Sequence, residues 1–300
     1  MLPAVAKMFA LVRDLSARRE VTEIAVSRWL VQRHNLAASA ALAGVSELRD
    51  DLATASVRWA AISRELPALV TKLRDADVGV APIKGVAYAM GLYSTPAARP
   101  MTDVDLLIDP GHDTRARDVL ARAGFALAND IPLHHATMWT RDDLTIDLHR
   151  NILPVGRSKI ALADVWSRTR AGWPTGTRRL EPVDELVFHL AHMARNRLSG
   201  PLIQVVDAAR LLEHASLEAA MARAAEWRID AAVGAAASFC SWVLGVASRP
   251  RLAPSDDAIA FAYQMPARHK LVFDVMTAGS ARQLLARAIG AGFQRFATKT

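Results

Sequence analysis

The chain carries one cysteine, Cys240, among 300 residues. An internal disulfide is excluded, a cysteine-built zinc cluster lacks ligands, and a reducing cytoplasmic setting fits. Cys240 lies in an apolar stretch and reads as a small buried hydrophobe. Aromatic residues are sparse, at 6%. The tryptophans at 29, 59, 139, 166, 173, 227 and 242 are dispersed, and read as core rather than as a platform for stacked bases. No long run of one charge occurs. The net charge of +7 is spread over scattered arginines, which suits a solvated surface better than a nucleic-acid arm. A local basic cluster around a triphosphate stays compatible with it. The first segment is broken by Lys7, Arg13 and Asp14 and lacks a cleavage site, so no signal peptide is expected. The longest uncharged stretch, 231–248, reaches the lower limit of a membrane span. It is mostly alanine, glycine and serine, so it reads as a buried helix and no stable membrane insertion is expected.

What is present is a chain able to build a core: 52% of it is hydrophobic and 22% charged. Abundant alanine favours helix. Residues 1–75 read as helical, with Trp59, Ile62, Leu66, Leu69, Val70 and Leu73 at helical spacing and Pro67 kinking or restarting the helix. The character changes at Val78. Val78–Ile83 is short and β-branched, which predicts a strand, with Pro82 placing it at an edge. Lys84-Gly85 turns into a short helix, a loop follows from Ser94 to Pro100, and Met101–Asp109 reads as a second strand. His112–Ala123 is an amphipathic helix closed by Gly124. His135–Thr140 and Leu144–His149 form a hairpin around Arg141-Asp142-Asp143. From Asp164 the chain reads as helical again, with a helix that starts at Pro182, carries His189, His192 and Arg195 and is broken at Gly200-Pro201, and further helices at 202–214, 217–248, 255–263 and 268–290. The expected fold is α+β: a small mixed sheet at 76–160, flanked by helical regions at 1–75 and 161–300.

Asp103 and Asp105 are two apart in a strand and therefore face the same way. Two ionised carboxylates that close repel each other unless a cation lies between them. Magnesium takes one or two carboxylates plus substrate phosphates. The turn at Lys84-Gly85 brings a helix N-terminus towards the pair, an end suited to phosphate, and Arg99 just upstream could pair with phosphate oxygens. A third acid, Asp147, sits in the second hairpin strand. Three carboxylates on adjacent strands could hold two metal ions, one for the attacking hydroxyl and one for the leaving pyrophosphate. Asp147 could also act as general base.

Taken together, Ile83-Lys84-Gly85, Leu92-Tyr93, Arg99-Pro100-Met101-Thr102-Asp103-Val104-Asp105-Leu106-Leu107-Ile108 and Ile146-Asp147-Leu148-His149 resemble the bacterial "uncharacterised nucleotidyltransferase" family. That family belongs to the polymerase β-type nucleotidyltransferase superfamily. The stretch Pro182–His192 and the segment around Val206-Asp207-Ala208 extend the resemblance over about residues 60–215. It implies a magnesium-dependent transferase that takes a nucleotidyl group from an NTP, ATP first, to a hydroxyl or phosphate of a small-molecule or peptide acceptor. Asp103 and Asp105 match the acidic pair and Asp147 the third carboxylate. Lys84-Gly85 stands where the wider superfamily has Gly-Ser, and Arg150 where relatives often carry an aromatic residue. A tRNA- or protein-modifying toxin, with RNA as acceptor, and an inactive NTP-binding scaffold remain alternatives.

The histidines divide. His149 shares a face with Asp147 and either binds metal or phosphate or supports the site. His134 and His135 open the hairpin, where strand alternation would keep both from facing one site. His189 and His192 lie three apart on a helix, with Asn196 and Asp207 nearby in sequence. They form either a polar seam against the sheet or the edge of an acceptor pocket with Arg195 and Arg197 near phosphates.

Overall fold

In the computed structural model of the chain, residues 1–131, 134–153, 158–261, 267–278 and 280 are described. Helices come first: α1 (Pro3–Ser16), α2 (Arg28–Arg33), α3 (Ala37–Leu42) and the long α4 (Arg49–Asp75). The α/β part follows, with β1 (Val80–Ile83), α5 (Gly85–Leu92), β2 (Val104–Ile108), α6 (Asp113–Arg122), β3 (Ala126–Asn129), β4 (Ala136–Arg141) and β5 (Leu144–His149). Next come α7 (Leu162–Ser167) and a small ribbon of β6 (Arg170–Ala171) and β7 (Arg178–Arg179). The remaining helices are α8 (Pro182–Arg195), α9 (Ile203–Leu211), α10 (Leu217–Glu226), α11 (Asp230–Val243), α12 (Asp256–Phe261) and α13 (Ala267–Met276). The expected α+β architecture is the one the chain adopts.

The main sheet has the order β1-β2-β5-β4-β3. Only β2 and β5 run parallel; the other neighbours are antiparallel. Pro82 lies in the edge strand, where a missing ladder N–H is tolerated. Alternation along the strands sends side chains to two cores. Val80, Val104, Leu106, Ile108, Ile146 and Leu148 pack with Ile62, Leu66, Leu69, Val70 and Leu73 of α4 and with Ala116, Val119 and Leu120 of α6. Ala81, Ile83 and Leu107 face the other way, into a core with Tyr88 of α5, Leu186, Val187 and Phe188 of α8, and much of α9 and α11. Every residue of β2 is buried. A polar side chain on its second face must therefore lie beneath a helical layer.

The first helical region divides between these cores. The sheet-facing side of α4 belongs to the first, whereas Val5, Phe9 and Val12 of α1 and Leu48 belong to the second. Helix α11 supplies Val233, Ala236, Phe239, Cys240 and Val243 to the second core, as expected for a bundle helix. No helix among the described residues is long and apolar enough to cross a membrane. Cys240 is buried, and burial pushes its thiol up to about 12.

Three expectations change. Pro67, expected to kink or restart its helix, does not restart it: α4 continues through it. An interior proline costs about 3 kcal/mol, and the buried row from Ile62 to Leu73 on the sheet offsets that cost. The segment expected to be helical from Asp164 is interrupted by the β6–β7 ribbon, whose turn contains Gly172, Pro174 and Gly176, the last at φ +94. The helix expected over 268–290 is seen as α13 up to Met276, and residues 279 and 281–290 lie outside the described ones. Among the tryptophans, Trp139 and Trp227 are buried, but Trp29 is at the surface beside Arg33.

His34 ties the first helices to the last. Its Nδ1 accepts from the backbone N–H of Leu202 and its Nε2–H donates to Ala260 O, at 3.1 and 3.2 Å. Burial lowers the imidazole to about 4. An imidazole near 6.5 when unfolded and near 4 when folded binds its proton first in the unfolded chain. The contribution is intact above pH 6.5 and lost progressively as pH falls through 4. The share of urea-unfolding stability that His34 contributes across that window is roughly 3 kcal/mol, and His34→Gln should reduce the pH dependence by about that amount.

Candidate active site

Register brings the acids together. In the parallel β2–β5 pair, Asp105 lies opposite Asp147 and Leu107 opposite His149. All four side chains share the face that looks towards α8. One oxygen or nitrogen from each of Asp105, Asp147 and His149 falls within a group no wider than 4.8 Å. Asp103 is one residue before the start of β2, half-buried, and its carboxylate feels that of Asp105. Arg58 of α4 fixes this approach by donating to the carbonyls of Met101 and Thr102, and at 3.3 Å to Asp143 O in the hairpin turn.

Lys84 comes next to Asp105 through the β1–β2 pair, in which Ile83 is the partner of Asp105. Its Nζ is 2.5 Å from Asp105 Oδ1, and His149 Nε2 is 2.8 Å from the same oxygen. Burial alone would push the Asp105 carboxyl up. The Lys84 charge and then the His149 N–H more than offset this, and hold it well below the usual carboxylate range. Among the described residues no cation is hydrogen-bonded to Asp147, although the Lys84 and Arg195 charges act to lower it. Burial, followed by the charges of Asp105 and Asp103, pushes it up to about 6. Asp103 is raised for the same reasons, burial first and Asp105 second. His149 is held near 4 by burial and by Lys84. With a neutral ring whose Nε2–H donates to Asp105, His149 keeps a bare Nδ1, which is buried without a partner among the described residues.

Arg195, from the last turn of α8, lies within electrostatic reach of Asp105 and Asp147. Its guanidinium reaches His134 Nε2 at 3.1 Å and His135 Nε2 at 3.4 Å. Burial lowers its affinity for the proton, and Asp105 and Asp147 act in the opposite sense. Alternation does not separate His134 from His135, because β4 begins only at Ala136. Their rings stand 4.3 Å apart and both meet Arg195. The ring of His135 is also 5.0 Å from that of His149. The sequence alternative put Arg195 and Arg197 near phosphates; in the structure the charges of Asp105 and Asp147 act on Arg195. Arg197 instead pairs with Asp274 at 2.7 Å.

Arg99 points elsewhere. Its Nε is 2.8 Å from Asp207 Oδ2 and 3.1 Å from Oδ1, with a further nitrogen 2.8 Å from Oδ2. Tyr93 Oη donates to the same carboxylate at 2.7 Å. Asp207 is fully buried in α9, so this pair fastens the loop before Asp103 to the helical layer. His189 belongs to that seam: it is buried and its Nε2 is 2.8 Å from Gln204 O. His192 meets Asn196. Gly85 follows Lys84 as the first residue of α5, and a Cβ there would stand 3.2 Å from that of Met101.

The donor set suits a hard divalent ion. Asp105 and Asp147 offer carboxylate oxygens from adjacent strands and Asp103 a further carboxylate one residue before β2, with His149 grouped beside them. Two cations, Lys84 and Arg195, act on them. An acidic corner facing cationic side chains on a mixed sheet is an arrangement able to bind a metal–polyphosphate. The family model described as "Uncharacterised nucleotidyltransferase" matches residues 13–245, and the chain belongs to that family. Membership supports nucleotidyl transfer as the general reaction. No curated protein matches the chain. Among solved structures, the antibiotic-resistance factor ANT(2'')-Ia is similar at a TM-score of 0.38 and 12% identity, over 54% of this chain and 91% of that one.

Removing Asp207 would strand a buried guanidinium. Asp207→Ala should cost about 3–5 kcal/mol in urea unfolding, and Arg99→Met combined with Asp207→Leu should recover most of it, because well-packed apolar groups can replace a buried pair.

Proposed function

We propose that the chain transfers a nucleotidyl group from an NTP, ATP first, to a hydroxyl or phosphate oxygen of a small-molecule or peptide acceptor. The observation that carries this reading is the convergence of Asp105, Asp147 and His149 within 4.8 Å, beside Lys84 and Arg195. Asp103, Asp105 and Asp147 would hold Mg²⁺, with room for two ions in the donor count. Bound magnesium would neutralise phosphate charge and align donor with acceptor.

The bond to the leaving pyrophosphate breaks at the α-phosphorus, and a new phosphorus–oxygen bond forms to the acceptor. The acceptor's proton needs a base. Asp147 is assigned that role, since among the described residues no cation is bonded to it as Lys84 is to Asp105. Arg195 holds phosphate oxygens, and His134 and His135 orient it through uncharged nitrogens. Lys84 and Gly85 at the start of α5 complete the phosphate side, and His149 steadies Asp105. Arg99 contributes at one remove, by anchoring the loop before Asp103.

In this reading residues 76–160 carry the chemistry and the helical regions 1–75 and 161–300 shape the acceptor side, in a cytoplasmic protein. A cleft of about 450 Å³ adjoins the loop that leads to Asp103; Arg58, Trp59, Pro100 and Met101 are among the residues lining it. It is assigned to the acceptor. A second reading, an NTP-binding scaffold without turnover, is favoured by the ammonium of Lys84 on Asp105. Transfer of label from α-³²P-ATP to candidate acceptors separates the two. Asp105→Asn and Asp147→Asn should each lower metal-dependent transfer by at least about a thousandfold, with unchanged circular dichroism. Transfer at the wild-type rate in either variant would refute the assignment, and nucleotide binding without any transfer would favour the scaffold.

A further inference from the structure

Lys84 holds a backbone conformation that a side chain should avoid. Its φ of +51 and ψ of −124 fall in a region that favours glycine. Keeping an L-residue there costs free energy, so its side chain must return something to the folded state or to function. The side chain goes to one place. The ammonium sits 2.5 Å from Asp105 Oδ1, beneath the ring of Phe188 and on the buried face where the three acids meet. A divalent ion on Asp105 and the Lys84 ammonium would be cations competing for one carboxylate. At such separations, in a partly desolvated site, their repulsion is large.

Resting on the nucleotidyl-transfer reading, we propose that Lys84 is a resident counter-ion that makes metal binding depend on nucleotide. Without nucleotide it neutralises Asp105 and keeps free divalent ions off the acids. When a metal–triphosphate arrives, the phosphates offer the ammonium a new partner, Asp105 is released to the metal, and Lys84 becomes a phosphate ligand. The site thus selects the metal–nucleotide complex over either component. No bond is made or broken in the exchange. One short swing of a flexible side chain trades a carboxylate partner for a phosphate partner.

Mn²⁺ binding followed by electron paramagnetic resonance tests this without turnover. Lys84→Gly relieves the backbone while removing the charge, and Lys84→Gln removes the charge alone. Both should bind free Mn²⁺ at least about tenfold more tightly than the wild type. Both should bind Mn²⁺ with an α,β-methylene ATP analogue about tenfold or more weakly. Free Mn²⁺ affinity unchanged or reduced in both variants would overturn the proposal, as would unchanged affinity for the Mn²⁺–analogue complex. A wild-type protein that transfers no nucleotide yet shows both effects of Lys84 would overturn the transfer reading and support this one.

Discussion

Asp103, Asp105 and Asp147 are held close together beneath a helical layer, where carboxylates lose water and repel one another. The rest of the site answers that repulsion. Asp105, the most buried of the three, receives the Lys84 ammonium and the His149 N–H on one oxygen. Among the described residues Asp147 receives no such partner, and it is pushed up to about 6, by burial first and then by its neighbours' charges. Arg195 brings a charge held by neutral histidines rather than by an acid. The acids are therefore unequal by construction. One is locked in the ionised form, and another sits within reach of a proton at ordinary pH.

That arrangement depends on the sheet being covered on both faces. The apolar side of β2 and β5 is pressed onto α4 and α6, which leaves the acid-bearing side for α5, α8 and α9. Helix α8 can bring Arg195 to the acids because its other residues are so thoroughly buried. Glu185 and Asp184 are themselves paired with arginines, Glu185 with Arg179 and Asp184 with Arg168 and Arg223. The Arg99–Asp207 pair performs a different task. It joins the loop before the acids to α9.

The sequence carried the sheet and the acids openly. Strand periodicity put Asp103 and Asp105 on one face and marked Asp147 as an acid of a second strand; the parallel β2–β5 register sets Asp105 beside Asp147. The α+β class followed from alanine-rich helices around short β-branched runs. What stayed hidden depended on contacts between distant segments. Lys84 meets Asp105 only because Ile83 is its antiparallel partner. Arg195 lies in a helix whose pattern announces core, and nothing local says which way its last turn points. Arg99 looked like a phosphate ligand by its place in the chain, but its partner is 108 residues away. His134 and His135 were separated by a strand rule that does not apply before Ala136. The helix through Pro67 shows packing overriding local propensity, and the β6–β7 ribbon shows glycine and proline punctuating a stretch that otherwise resembles helix.

The acidic corner is proposed to be a metal–nucleotide site from which Lys84 withdraws when the ligand arrives. A crystal structure with Mn²⁺ and a non-hydrolysable NTP analogue tests it most directly, because manganese is located independently by its anomalous scattering. Manganese is expected on the carboxylates of Asp103, Asp105 and Asp147, with the Lys84 ammonium on a phosphate oxygen. Nucleotide bound elsewhere, or bound at this corner with Lys84 still on Asp105 and no manganese on the acids, would contradict it.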